Sequence, residues 1–90
     1  MKITNGNIGL TRKELDKLKK RGYIIDEHTP HYMNHIKARC GDCTIGLYNW
    51  LDGLEVYSGD KRLKIETKEQ AEKLFSAMDA LIELSTSLKL

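Results

Sequence analysis

Cys40-Gly41-Asp42-Cys43 has the two-residue spacing of half a zinc site, and His28, His31 and His35 lie upstream as candidate nitrogen ligands. A tetrahedral ion needs four donors at one point, which a strand running from the histidines to the cysteines does not supply. At roughly 3.3 Å per residue His35 lies about 16–17 Å from Cys40, and its odd position turns it to the opposite side of the strand. His31 is farther still. The pair therefore reads as two small thiols flanking a tight turn, or as a reversible disulfide, and no metal is expected within one chain.

Acid–base chemistry has little to work with. Strand register sets His31 opposite Asp52 at one end of a sheet, and that is the carboxylate it pairs with a histidine. There is no phosphate loop, nucleotide fingerprint, nucleophile elbow or paired-carboxylate arrangement. The expectation is a protein without catalytic residues and without a cofactor.

The more suggestive set is aromatic and basic. Met33, His35, Lys37 and Arg39 alternate along one segment, Tyr48 and Trp50 along the next, and Tyr57, Arg62 and Lys64 follow on two more. If these segments are strands of one sheet, all nine side chains share a face, with Thr44, Gly46 and Glu55 among them. Rings interleaved with Arg and Lys suit a stacking platform for single-stranded nucleic acid, and equally a protein-binding hot spot. Tyr and Trp also favour solvent-facing strands for their β-propensity alone. Elsewhere, Lys13, Lys17 and Lys20 form a row that could contact phosphates or simply be a solvated helix face.

Helices and turns must position these residues. Thr11-Arg12-Lys13-Glu14 is a capping box, Leu10 and Leu15 form a hydrophobic staple around it, and Gly22 can close the helix, which predicts a helix over residues 12–21. Its apolar stripe is narrow, Leu15 and Leu18, so it reads as a lid rather than a core helix. Tyr23 to Ile25 adds apolar surface, and Asp26 to Pro30 reads as a loop. Gly41-Asp42, Asp52-Gly53 and Gly59-Asp60 each suit a two-residue hairpin loop. The first pairs Cys40 with Cys43, Ala38 with Ile45, Ile36 with Leu47, Asn34 with Asn49 and Tyr32 with Leu51. The second pairs Leu51 with Leu54, Asn49 with Val56 and Leu47 with Ser58. The third pairs Val56 with Leu63 and Leu54 with Ile65.

All three turns place one apolar set on one side of one sheet, with strands over residues 31–40, 43–51, 54–58 and 61–66. Thr67-Lys68-Glu69-Gln70 is a second capping box, and Ala71, Leu74, Phe75, Met78, Leu81 and Ile82 recur at helical spacing after it. That helix, residues 68–84, should bury Phe75 and Met78 near Leu47, Val56 and Leu63, with 85–90 a frayed tail. The fold class is α+β: helix, four-stranded antiparallel β-meander, helix (αββββα), with the main helix on one sheet face.

The totals agree with one domain over residues 1–90. Ninety residues, 40% hydrophobic and 31% charged with a single proline, describe an ordinary globular chain with a modest core. No run approaches the roughly 18 apolar residues of a membrane span, and the N-terminal stretch lacks a signal-peptide core, so the chain reads as cytoplasmic. Net charge is +2, unevenly spread: residues 1–22 carry seven basic groups against Glu14 and Asp16, which leaves the remainder net acidic. A mimic of DNA would need a denser acidic face than this.

The order helix, meander, helix resembles the double-stranded-RNA-binding domain, with Thr67-Lys68-Glu69-Gln70-Ala71-Glu72-Lys73 where that family begins its phosphate-binding helix. Glu69, Gln70 and Glu72 stand in place of that family's basic cluster. In outline the chain also resembles the small inhibitors that phages and mobile elements direct against host defence, including anti-CRISPR proteins. The meander and capped helix from Arg62 to Phe75 carry that likeness. It implies a non-enzymatic protein that occupies a protein or ribonucleoprotein complex; a nucleic-acid-binding role is the alternative.

Overall fold

The computed structural model describes residues 2–4, 7–26, 34–50 and 53–89, and within them the side chains of 9–26, 35–49 and 53–89. The elements run β1 (Lys2–Thr4), β2 (Asn7–Gly9), α1 (Arg12–Lys20), β3 (Ile24–Asp26), β4 (Asn34–Cys40), β5 (Cys43–Trp50), β6 (Gly53–Ser58), β7 (Lys61–Ile65) and α2 (Lys68–Leu88). Strands β3 to β7 form one antiparallel sheet in sequence order, and β1 pairs with β2 as a separate hairpin.

Both helices start where hydrogen-bonding chemistry says they should. The Thr11 hydroxyl accepts from the Glu14 amide while the Glu14 carboxylate accepts from the Thr11 amide, and Thr67 and Gln70 repeat the arrangement for α2. Four first-turn donors that would otherwise lack partners make such caps worth about 1 kcal/mol each. The end of α2 differs from the expected frayed tail. It continues through Ser85 to Leu88, and Lys89 closes it in the left-handed region, its amide donating to the Ser85 and Thr86 carbonyls.

The meander has five strands rather than four. Ile24–Asp26, expected to pass from apolar surface into a loop, pairs with β4 through Ile24 and Lys37, Ile25 and Ile36, and Asp26 and His35. Three residues are too few to show an alternating pattern. The β1–β2 hairpin was also unanticipated, although Asn5-Gly6 between its strands is a strong hairpin signal.

The first and third turns have the expected registers: Cys40 faces Cys43, Ala38 faces Ile45, Ile36 faces Leu47, Asn34 faces Asn49, Val56 faces Leu63 and Leu54 faces Ile65. The second is displaced by two residues. Leu47 faces Val56, Asn49 faces Leu54 and Trp50 faces Gly53, so Gly53 opens β6 instead of lying in the loop. Its φ of 153° is a value that side-chain-bearing residues rarely adopt. The displaced register sets Leu47 against Val56 where the expected one set it against Ser58. A shift of two leaves every side chain on its own face. The Tyr32–Leu51 pair, and the segment from His28 to Met33, lie outside the described residues.

The covered face gathers Ile36, Ala38, Leu47, Leu54 and Ile65 with Ala71, Phe75 and Met78 of α2, and Asn49 is buried on it too. Each large side chain fully removed from water contributes about 1.5–3 kcal/mol before the entropy of ordering it. α2 lies over β4, while β1 runs beside α2 and β2 beside β5 and β6. This position corrects one expected contact. Leu63, on the far edge strand, is 63% exposed instead of buried under α2. α1 is also more than a lid, because Leu18 belongs to the core cluster.

Met78→Ala should cost about 2–5 kcal/mol in urea unfolding, as truncation of a fully buried side chain does, whereas Leu63→Ala should change stability by less than about 0.5 kcal/mol.

Candidate functional site

The side of the sheet away from α2 carries the aromatic and basic residues. Register sets His35 opposite Tyr48, Lys37 opposite Gly46, Tyr57 opposite Arg62 and Glu55 between Tyr48 and Lys64. The His35 and Tyr48 rings stack at 4.5 Å between centroids and 12° between planes, and Tyr48 stacks on Tyr57 at 5.2 Å and 28°. His35 and Tyr57 complete the triangle at 5.8 Å and 33°. Such pairs add about 0.5–1.5 kcal/mol each beyond the area they bury.

Tyr57 belongs to β6 and His35 to β4, with β5 between them. The crossing is possible because Gly46 faces Tyr57 in register and has no side chain, so the ring lies over the backbone of β5 and buries the glycine. A Cβ built at Gly46 would overlap the Tyr57 ring itself. The phenol then reaches His35, with 2.8 Å between Nε2 and the hydroxyl oxygen.

Asp26 stands on the other side of the imidazole, its carboxylate 4.0 Å from Nδ1. The histidine thus has a neighbouring carboxylate that the sequence did not reveal, because Asp26 was expected in a loop. Burial pushes the His35 pKa below its ordinary value, Lys37 adds to the push, and Asp26 opposes it. Burial and Tyr48 push the Tyr57 phenol up, against the attraction of Arg62. At neutral pH the phenol keeps its proton, and it shares a hydrogen bond with Nε2 whose direction follows the imidazole tautomer, while Nδ1 faces Asp26. Asp26, His35 and Tyr57 have the order of a proton relay, yet Tyr57 is held away from its nucleophilic phenolate form. The contacts join three rings across β4, β5 and β6.

The basic groups surround this cluster. Arg39 donates from Nε to the Gly41 carbonyl at 2.9 Å, which ties it to the β4–β5 turn. Arg62 pairs with Glu55 at 3.0 Å on the same face, so part of its charge is answered within the chain. Lys64 is exposed and Lys37 half-buried. Of the expected set, Trp50 pairs with Gly53 at the end of β5 but its side chain is outside the described ones, while Met33 lies outside the described residues, as do His31 and Asp52. Lys13, Lys17 and Lys20 are exposed on α1, whose Leu18 packs into the core beneath the opposite face. The lysine row and the ring cluster are thus separate surfaces.

Cys40 and Cys43 face each other across the first turn as free thiols, one half-buried and the other exposed. Among the described residues no group of three His, Cys, Asp or Glu side chains could hold a metal ion.

A second polar cluster joins the helices. Tyr23 donates its hydroxyl to Asp79, Arg21 pairs with the same carboxylate at 2.7 Å, and the Arg21 guanidinium lies 5.8 Å from the centre of the Tyr23 ring. Burial and Asp79 push the Tyr23 phenol well above its usual range. These residues line a cleft of about 470 Å³ with Ile82, Glu83, Thr86 and Ser87, and a cleft of about 390 Å³ adjoins it along α1. Because Asp79 is already shared by Tyr23 and Arg21, the cluster acts as a tie between α1 and α2.

No protein-family model, curated protein or solved structure matches this chain.

Nuclear magnetic resonance should find His35 titrating below 6.5, and Gly46→Ala, by displacing Tyr57 and admitting water, should move it back toward that value. The folded pKa lies below the unfolded one, so between them the unfolded chain binds the extra proton and stability rises with pH. Acidification from pH 7 to 5 should therefore destabilise the protein, and His35→Gln should remove that part of the loss.

Proposed function

We propose that this chain is a small non-enzymatic binding protein that occupies a protein or ribonucleoprotein partner through the open face of its sheet. The use of such a surface in this reading is inhibitory: a phage-type protein that blocks a host CRISPR or other defence nuclease complex. The observation that carries the protein-binding part is the mutual stacking of His35, Tyr48 and Tyr57. A nucleobase platform needs ring faces left free for bases, whereas here each ring turns a face to a neighbouring ring. What remains outward suits the packed contacts of a protein interface, ordered in advance so that little side-chain entropy is lost on docking.

Charge supports the same reading. Lys37, Arg39 and Lys64 flank the rings, and a partner surface with carboxylates around an apolar centre would match them. A nucleic-acid role rests on a different observation, the exposure of Lys13, Lys17 and Lys20 on α1, none of which forms an ion pair among the described residues.

Tyr48→Ala should weaken capture of the partner at least thirtyfold while leaving the thermal transition of a folded protein, whereas Lys13→Ala with Lys17→Ala should leave it unchanged. Retardation of RNA or DNA that falls steeply with salt, and disappears in the lysine double variant, would favour the nucleic-acid role instead.

A further inference from the structure

The sheet has two edges, and they are treated differently. β3 is a three-residue strand with α1 beside it, while β7 (Lys61–Ile65) pairs, among the described residues, with β6 alone. Its first four residues are exposed, and Leu63 at its centre is 63% exposed. We infer that β7 accepts an extended acidic segment of a partner protein as a sixth strand. The inference rests on the protein-partner reading and specifies where and how a partner is held.

Backbone geometry supplies the first reason. Ser58 and Lys61 flank the two-residue loop Gly59-Asp60 and face each other in register. In such a hairpin the flanking pair exchanges both hydrogen bonds, and the pairs then alternate between bonded and non-bonded. Arg62 and Lys64 fall at the non-bonded positions. Their N–H and C=O groups consequently point away from β6, toward the open edge, where an added strand would bond them.

Side-chain charge supplies the second reason, and it selects the occupant. Lysines on an edge strand are a common guard against association of identical sheets. Two copies of β7 paired antiparallel about Leu63 would set Arg62 against Lys64 twice, so a second copy is disfavoured. The same charges favour a strand with acidic residues at alternate positions, opposite Arg62 and Lys64, and an apolar residue between them opposite Leu63. Arg62 is paired with Glu55 in the free chain at 3.0 Å and stays largely exposed, so its charge lies on the open face beside the edge. The added strand would thereby extend the face that carries Tyr57.

The test is titration of the ¹⁵N-labelled full chain with a ten-residue peptide of alternating Glu and Val, beside a control of alternating Lys and Val. Expected are amide shifts centred on Arg62 and Lys64, with slowed exchange of those two amides, and no response to the control. Lys64→Pro removes an outward N–H that β6 does not use, so the hairpin should remain while peptide affinity falls at least tenfold. Lys64→Glu should do the same by charge. Shifts centred on Lys13, Lys17 and Lys20, equal binding by Lys64→Pro, or a concentration-dependent dimer through β7 without peptide would each overturn the inference. If the peptide fails at β7 while Tyr48→Ala still abolishes capture of the partner, the edge proposal alone is lost.

Discussion

Side chains of a β-strand alternate between two faces, and a strand cannot change that assignment without shifting by an odd number of residues. In this protein the short loops after β4, β5 and β6 hold that parity through the meander. Ile36, Leu47, Leu54 and Ile65 consequently meet under α2, and His35, Tyr48 and Tyr57 meet on the other side. Core and candidate interface are two consequences of one constraint. A one-residue slip in any hairpin would send Tyr48 or Tyr57 into the core and a leucine into water.

Within that frame, Gly46 decides how the open face is organised. Glycine in the middle of a strand ordinarily weakens it, since it has more freedom to lose and nothing to pack. Here the missing Cβ lets a tyrosine from β6 cross β5, cover the bare backbone and bond a histidine on β4. Three strands are thereby joined across their surface as well as through their ladders. Asp26 extends the connection to β3, so the imidazole at the centre senses four strands at once.

Much of this was legible in the residues because parity is robust. Placing the second turn at Asp52-Gly53 was wrong by one residue and put the register off by two, yet it assigned Leu54, Val56 and Tyr57 to their proper sides. Capping boxes at Thr11 and Thr67 located both helix starts, since each requires a hydroxyl and a carboxyl or amide three residues apart. What could not be read was what has no period. β3 is too short to alternate visibly, and the meeting of Asp26 with His35 depends on it. His35 and Tyr48 face each other as the first turn requires, but the hydrogen bond of Tyr57 to His35 across β5 is set by the absence of a side chain at Gly46 rather than by any residue present. The exposure of Leu63 follows from α2 lying over β4, a lateral position that helical periodicity alone does not specify.

The division of faces can be examined most directly by nuclear Overhauser contacts from the His35 imidazole. Cross-peaks to the rings of both Tyr48 and Tyr57, with none to Phe75 or Met78, are the expected result. Contacts from His35 to Phe75 or Met78 would place it in the core, and would contradict both the register and the interface built on it.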